Sequence, residues 1–215
     1  MYKLYGSLGA ASLAPHCVLE ASGASYEFIP VDISDEVDRD PEYLKLNPHG
    51  RVPTLVIGDE VMMESAAISI YLADKYPEAR MSPPVDDPSR WQYLQWMAYL
   101  TNTLQETMLL KRYSAGYTTD SDTSAVSESA AARLIQILGI IEAGLGKHDG
   151  PFFLGDTLST ADIYLNMVLG WDPEIGAGAE QQDNWPNIQR NYQELLTRGD
   201  VAKVFAENGY PRPAS

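Results

Sequence analysis

A chain of 215 residues with 15 basic and 30 acidic side chains carries a formal net charge of −15, which argues against a nucleic-acid backbone or an anionic membrane surface as the main partner and reads as a well-solvated acidic surface. Its single cysteine, Cys17, excludes an internal disulfide framework and suits a reducing compartment. No segment approaches the roughly 18 uninterrupted apolar residues of a membrane span and MYKLYGSLGA lacks the apolar core of a leader, so a soluble cytoplasmic protein is expected.

The first 76 residues alternate strand-like and helix-like patterns. Tyr2–Gly6 reads as a short apolar strand. Ala14–Ser22 follows as a helix, with Leu13, Cys17, Val18 and Ala21 at helical spacing, and Tyr26–Ile33 alternates like a second strand. Pro41–Leu46 allows a short helix. Thr54–Ile57 and Val61–Met63 flank Gly58-Asp59, a hairpin signal, and Ser65–Tyr76 is helical with Ile68, Leu72 and Tyr76 on one stripe.

The proline-dense PEARMSPP at 77–84 breaks this pattern. Beyond it, residues 89–113 and 125–145 run apolar at helical period, with the polar loop TTDSDTS between them. Ser159-Thr160-Ala161-Asp162 is a capping box, in which the aspartate reaches back to the cap amide. Another helix begins after Trp185-Pro186, where proline suits the first turn. The expected class is α/β plus all-α: a domain at 1–77, a linker at 78–88 and a helical bundle at 89–215.

Three stretches, NPHGRVP at 47–53, ESAAISIYLAD at 64–74 and FLGDTLSTADIYL at 153–165, resemble the glutathione transferases, and the resemblance extends over the whole chain. It implies a thioredoxin-like first domain and a cis peptide at Pro53 that leaves the backbone of Val52 free to pair with an extended peptide such as glutathione. Glu64-Ser65 opens a helix, so that the serine hydroxyl and first amides receive a carboxylate while Glu64 receives an amine, the two groups of a γ-glutamyl end. His49 and Arg51 face the glycyl carboxylate in the same reading, with a solvated loop charge as the plain alternative for each.

KLYGSLGAASLAPHCVLEASG is most similar to the bacterial beta class and its relatives, with two departures. That class carries a cysteine in the loop, where this chain has Ala11, and a histidine on the first helix of the second domain, where matching WMAYLTNTLQ puts Gln105. Both replacements weaken the case for mixed-disulfide or thiol-reductase chemistry and leave the glutathione site intact, with Gln105 still expected among the residues that bind glutathione. A thiol of pKa about 8.5 brought down by about two units needs roughly 2.7 kcal/mol, which a hydroxyl donor and a helix N-terminus together supply. The expected donor is Ser12, beside Ala11, then Tyr5 and Ser7, with loop amides as the alternative. Cys17 and His16 read as packing residues rather than as nucleophile and base, and no metal set is expected.

An apolar pocket for a small hydrophobic electrophile is expected between the domains, lined by Leu8 and Leu13 from the loop and by Tyr99, Thr103, Met108, Tyr113 and Tyr117 from the helical half. Met and Tyr at helical spacing serve equally as core. The resemblance further implies a homodimer, with Met62, Met63, Tyr71 and the 89–113 helix supplying contacts. The expected activity is glutathione transfer for detoxification. The alternatives are a glutathione-dependent isomerase, ether lyase or peroxidase, and a binding module without turnover.

Overall fold

The structure, a computed structural model, describes residues 1–34, 39–172, 175 and 184–210. Strands β1 (Tyr2–Gly6), β2 (Tyr26–Pro30), β3 (Thr54–Ile57) and β4 (Glu60–Met63) form one sheet in the order β2-β1-β3-β4, with β1 and β2 parallel and the other neighbours antiparallel. Helix α1 (Leu13–Ser22) connects the parallel pair, as a parallel connection requires. Alternation in β1 buries Tyr2 and Leu4 and leaves Lys3 exposed. β2 stops at Pro30 rather than at the expected Ile33, because its partner β1 ends opposite it at Gly6. Helices α2 (Pro41–Leu46), capped by the Asp40 carboxylate on the Glu42 amide, and α3 (Ser65–Lys75) complete the thioredoxin-like half.

The segment expected as a linker is bonded into both halves. Met81 is fully buried and its carbonyl accepts from the Thr160 amide at 2.7 Å. Arg198 Nη2 donates to the Ala79 carbonyl at 2.7 Å. Arg90 forks onto both oxygens of Asp74 at 2.7 Å each and donates to the Pro83 carbonyl at 2.8 Å.

The helical half holds α4 (Arg90–Tyr99), α5 (Glu106–Arg112), α6 (Ser124–Leu145), α7 (Thr160–Leu169), α8 (Pro186–Leu195) and α9 (Gly199–Glu207). Where the apolar period predicts one regular helix over 89–113, the structure places a π-helical turn at Leu100–Gln105 between α4 and α5. The period of the apolar residues survives a widened turn, which is why the pattern does not reveal it. Helix α9 was not among the expected elements, although Val201, Val204 and Phe205 are buried at helical spacing. α6 is the one described helix long and apolar enough to cross a membrane by length and composition. Leu134, Ile137, Leu138 and Ile141 on its inner face are buried against the rest of the bundle.

A single apolar core runs through both halves. Leu4, Leu55, Leu13, Val18 and Leu72 from the first join Tyr93, Met97, Leu104, Tyr164 and Phe205 from the second, with Met81 between them. Helix α1 is central to it, packing on α3, α7 and α9. Cys17 lies in this core with no exposure, and burial raises its thiol pKa well above the ordinary value, the signature of an inert structural cysteine.

Candidate functional site at the end of the sheet

Strand register brings three of the singled-out stretches together. Tyr5 pairs with Thr54, and Thr54 pairs with Met63. The residues just beyond, Ser7 after β1, Val52 before β3 and Glu64 after β4, therefore share one end of the sheet. A further bond closes the arrangement: the Ser65 hydroxyl donates to the Ala11 carbonyl at 2.6 Å and links the start of α3 to the loop before α1.

The loop turns tightly because Gly6 has no side chain; a Cβ there would stand 2.6 Å from Ser12 Cβ. Into that space fits Ser12. Its hydroxyl donates to the Ser7 carbonyl at 2.8 Å and accepts from the Ser7 amide at 3.1 Å, and the residue is fully buried. This is a correction to its reading as first choice of thiolate donor, since both capacities of the hydroxyl are used inside the loop. Ser7, half-buried, has a hydroxyl with no hydrogen-bond partner among the described residues, and the amides of Ala11 and Ser12, just ahead of α1, likewise donate to none. Tyr5, half-buried, packs its ring 5.8 Å from that of Tyr43 on α2.

The NPHGRVP segment is displayed by buried anchors beneath it. Asn47 Nδ2 donates to the Arg51 carbonyl at 2.8 Å and to Thr54 Oγ1 at 3.1 Å, and the Tyr43 hydroxyl also donates to the Arg51 carbonyl. His49 and Arg51 are left exposed. The Val52–Pro53 peptide is cis, and the amide and carbonyl of Val52 make no hydrogen bond to any described residue. Glu64 is exposed with φ 71°, a left-handed backbone that non-glycine residues adopt at a cost of about 1–3 kcal/mol and that clusters at functional sites.

Gln105 reaches the same region from the helical half. Its Oε1 accepts from the hydroxyl of Tyr164, which is 1% exposed. Burial pushes the Tyr164 hydroxyl up to about 12, with the hydroxyls of Thr101 and Ser65 opposing and the Glu64 charge adding to the rise. Sequence reading missed Tyr164: ADIYL signalled only a capped helix. It missed Asn208 as well, whose Oδ1 accepts from the Gly9 amide at 3.0 Å and holds the loop from the far end of the chain.

The expected pocket list divides. Leu8 (62% exposed), Tyr113 (50%) and Tyr117 (40%) are open to solvent, and Tyr99 and Thr103 are half-buried. Leu13 and Met108, by contrast, are core residues at 0% and 2% and line no open surface, the correction being that their apolar period served packing. Tyr117 donates to Glu106 Oε1 at 3.0 Å, and burial raises its hydroxyl pKa, with the Glu106 bond and charge adding to the rise and the Arg51 charge opposing it. Among the described residues no group of His, Cys, Asp and Glu could hold a metal ion.

An open sheet end bearing an unpaired backbone, a helix N-terminus and a loop with unspent donors completes a thioredoxin-like half that, joined to the helical half, makes a glutathione-transferase fold. The family models for the glutathione S-transferase N-terminal and C-terminal domains match residues 1–74 and 106–198, and the chain belongs to the glutathione S-transferase family. It is 30% identical to glutathione S-transferase GstA of Escherichia coli O157:H7 over 96% of this chain and 98% of that one. A glutathione transferase homologue from Sulfitobacter, solved with bound glutathione, superposes with a TM-score of 0.84 at 27% identity, covering 96% of this chain and 98% of that one. The bacterial beta-class glutathione S-transferase of Sphingomonas chungbukensis superposes at 0.79 and 27%, covering 97% of this chain and all of that one.

Proposed function

We propose that the chain is a cytoplasmic glutathione transferase that binds glutathione along the shared end of β1, β3 and β4 and activates its thiol for attack on a small hydrophobic electrophile. The observation that carries this reading is the register that sets Ser7, Val52 and Glu64 side by side, with Ser65 bonded to Ala11. In this reading the free amide and carbonyl of Val52, just before the cis bond to Pro53, pair with the backbone of the tripeptide. Glu64 and the start of α3 at Ser65 take the γ-glutamyl amine and carboxylate, and His49 and Arg51 take the glycyl carboxylate.

The thiolate is held by the Ser7 hydroxyl and the Ala11 and Ser12 amides at the N-terminus of α1, all without a competing partner. A charge-assisted bond of about 1.5–3 kcal/mol from one of them, with the helix dipole, meets the roughly 2.7 kcal/mol that a two-unit pKa drop requires. Leu8, Tyr99, Thr103, Tyr113 and Tyr117 offer the electrophile an apolar, aromatic wall. A homodimer fits the exposed Met63, Trp91 and Leu94 on β4 and α4.

Calorimetric titration with glutathione, followed by turnover of a chromogenic aryl halide across pH, tests the reading. Micromolar-to-millimolar binding with turnover that rises as the bound thiol ionises is expected, and no binding overturns it. Binding without turnover selects the second reading, a glutathione-binding module, which Ala11 and Gln105 in place of the beta-class cysteine and histidine favour. Sedimentation as a monomer overturns the dimer. Activity confined to a peroxide, an isomerisable substrate or an aryl ether would assign one of the other thiolate chemistries.

A further inference from the structure

The residue that most needs a reason is Tyr164. It is 1% exposed and lies in the middle of α7, deep in the bundle, yet its hydroxyl reaches the polar seam between the halves. A phenylalanine would fill the same volume, so the hydroxyl has to be explained by what it touches. It donates to Gln105 Oε1, with the Ser65 and Thr101 hydroxyls near and the Glu64 charge felt across the seam. Thr101 and Gln105 both belong to the π turn at Leu100–Gln105, a local widening that re-aims side chains and recurs at functional sites. The Ser65 hydroxyl is already given to Ala11 and that of Thr101 to the Met97 carbonyl at 2.7 Å.

The consequence falls on Gln105. A side-chain amide offers an oxygen that accepts and an –NH2 that donates. With the oxygen engaged by a buried phenol, only the donors remain, and Nε2 has no partner among the described residues while the residue is half-exposed. We propose that Tyr164 is a positioning residue which, by holding Gln105 Oε1, presents the Gln105 –NH2 as a fixed hydrogen-bond donor to the sulfur anion of bound glutathione. This rests on the glutathione-site reading above and deepens it. The donor comes from the helical half, and the Tyr164 hydroxyl that holds it lies near Ser65, whose own hydroxyl is bonded to the Ala11 carbonyl, so in this proposal the thiolate is held from both halves. A donor-only amide prefers an anionic acceptor, and a neutral thioether gains little from it.

Three single variants and one double variant test this: Tyr164→Phe, Gln105→Leu, the two combined, and Gln105→Glu, the last keeping an acceptor for Tyr164 but replacing the –NH2 by an anionic oxygen. The readout is the ionisation of glutathione bound to the intact protein, followed by thiolate ultraviolet absorbance against pH, with S-methylglutathione affinity measured alongside. Tyr164→Phe and Gln105→Leu are each expected to raise the bound thiol pKa by about one unit, a tenfold loss of thiolate at fixed pH, and the double variant to go no further, since they remove one device. Gln105→Glu is expected to raise it at least as far. S-methylglutathione affinity should change less than about threefold, an allowance well short of the tenfold that one pKa unit represents. A Tyr164→Phe protein that melts earlier but ionises bound glutathione at the wild-type pH overturns the proposal, as does a normal thiol pKa in Gln105→Glu, which covers the case of Tyr164→Phe failing to fold. Absence of glutathione binding by the wild-type protein is a separate outcome, which overturns the underlying reading and this proposal with it.

Discussion

A Ser12→Ala substitution removes both halves of the hydroxyl's exchange with Ser7 in a place closed to water. It should cost about 1–3 kcal/mol of stability, because the Ser7 amide is left without a partner. Ser7→Ala, at a half-buried position with an unspent hydroxyl, should change stability by less than about 0.5 kcal/mol and instead lower kcat/KM for aryl halide about tenfold at neutral pH. Denaturant midpoints and kcat/KM for the two proteins separate the roles, and the opposite pattern would return Ser12 to the chemistry. His16 makes a prediction of another kind. Its Nε2 lies 2.9 Å from the Tyr26 hydroxyl, which donates to Glu20 at 2.8 Å, so Nε2 is the donor and Nδ1, buried without a partner, carries the lone pair. Burial lowers the His16 pKa, outweighing the Glu207 and Glu20 charges that raise it and adding to the effect of Lys203. The unfolded chain takes up its proton near pH 6.5 and the native chain only below that, so stability should fall as pH drops below about 6.5. Urea midpoints between about pH 5 and 7.5 should show a shallower acid limb in His16→Gln, which keeps a donor for Tyr26 and does not titrate.

At the scale of elements, α7 depends on one carboxylate. Asp162, fully buried, accepts from the Phe153 amide at 3.0 Å, the Ser159 amide at 2.9 Å, the Ser159 hydroxyl at 3.0 Å and Asn191 Nδ2 at 2.8 Å. The expected capping box is present, and it also fastens the 153–159 loop and α8 to the start of α7. Asp162→Ala strips several buried donors at once and should cost about 3–5 kcal/mol by urea titration, more than a helix cap alone is worth. The end of α9 governs the loop in a comparable way. Asn208→Ala releases the Gly9 amide and should cost about 1 kcal/mol, accelerate hydrogen exchange in the 7–12 loop and lower kcat while leaving the circular dichroism spectrum unchanged. Unaltered loop exchange would show that Asn208 serves only to end α9.

Across the whole molecule, the continuous core predicts one unfolding unit. Leu13, Ala14 and Leu72 of the first half are shielded with Met97, Leu104, Leu165 and Phe205 of the second, and the stretch between the halves is bonded to both. All four tryptophans, Trp91, Trp96, Trp171 and Trp185, lie in the helical half. Their fluorescence midpoint in urea should therefore coincide with the exchange-derived stability of Leu4 and Leu55 in the sheet. Residues 1–77 expressed alone should show no cooperative transition, because the face of α1 that meets α7 and α9 would be bare. Two separated transitions in the full chain would contradict the single core.

Short-range pattern was enough for the element order of the first half, the boundaries of α2 and β3, the capping box of α7 and the family, because each depends on residues within a few positions of one another. Val52, Pro53, Glu64 and Ser65 were singled out through the family resemblance of NPHGRVP and ESAAISIYLAD, and strand register brings them to one end of the sheet. The inward bonds of the Ser12 hydroxyl, the π turn, the Tyr164–Gln105 bond and the hold of Asn208 on the loop were settled by packing. A hydroxyl at the end of a strand donates inward or outward according to what lies against it. What lies against the loop here comes from Ser65, Gln105 and Asn208, which join it only when the chain has folded.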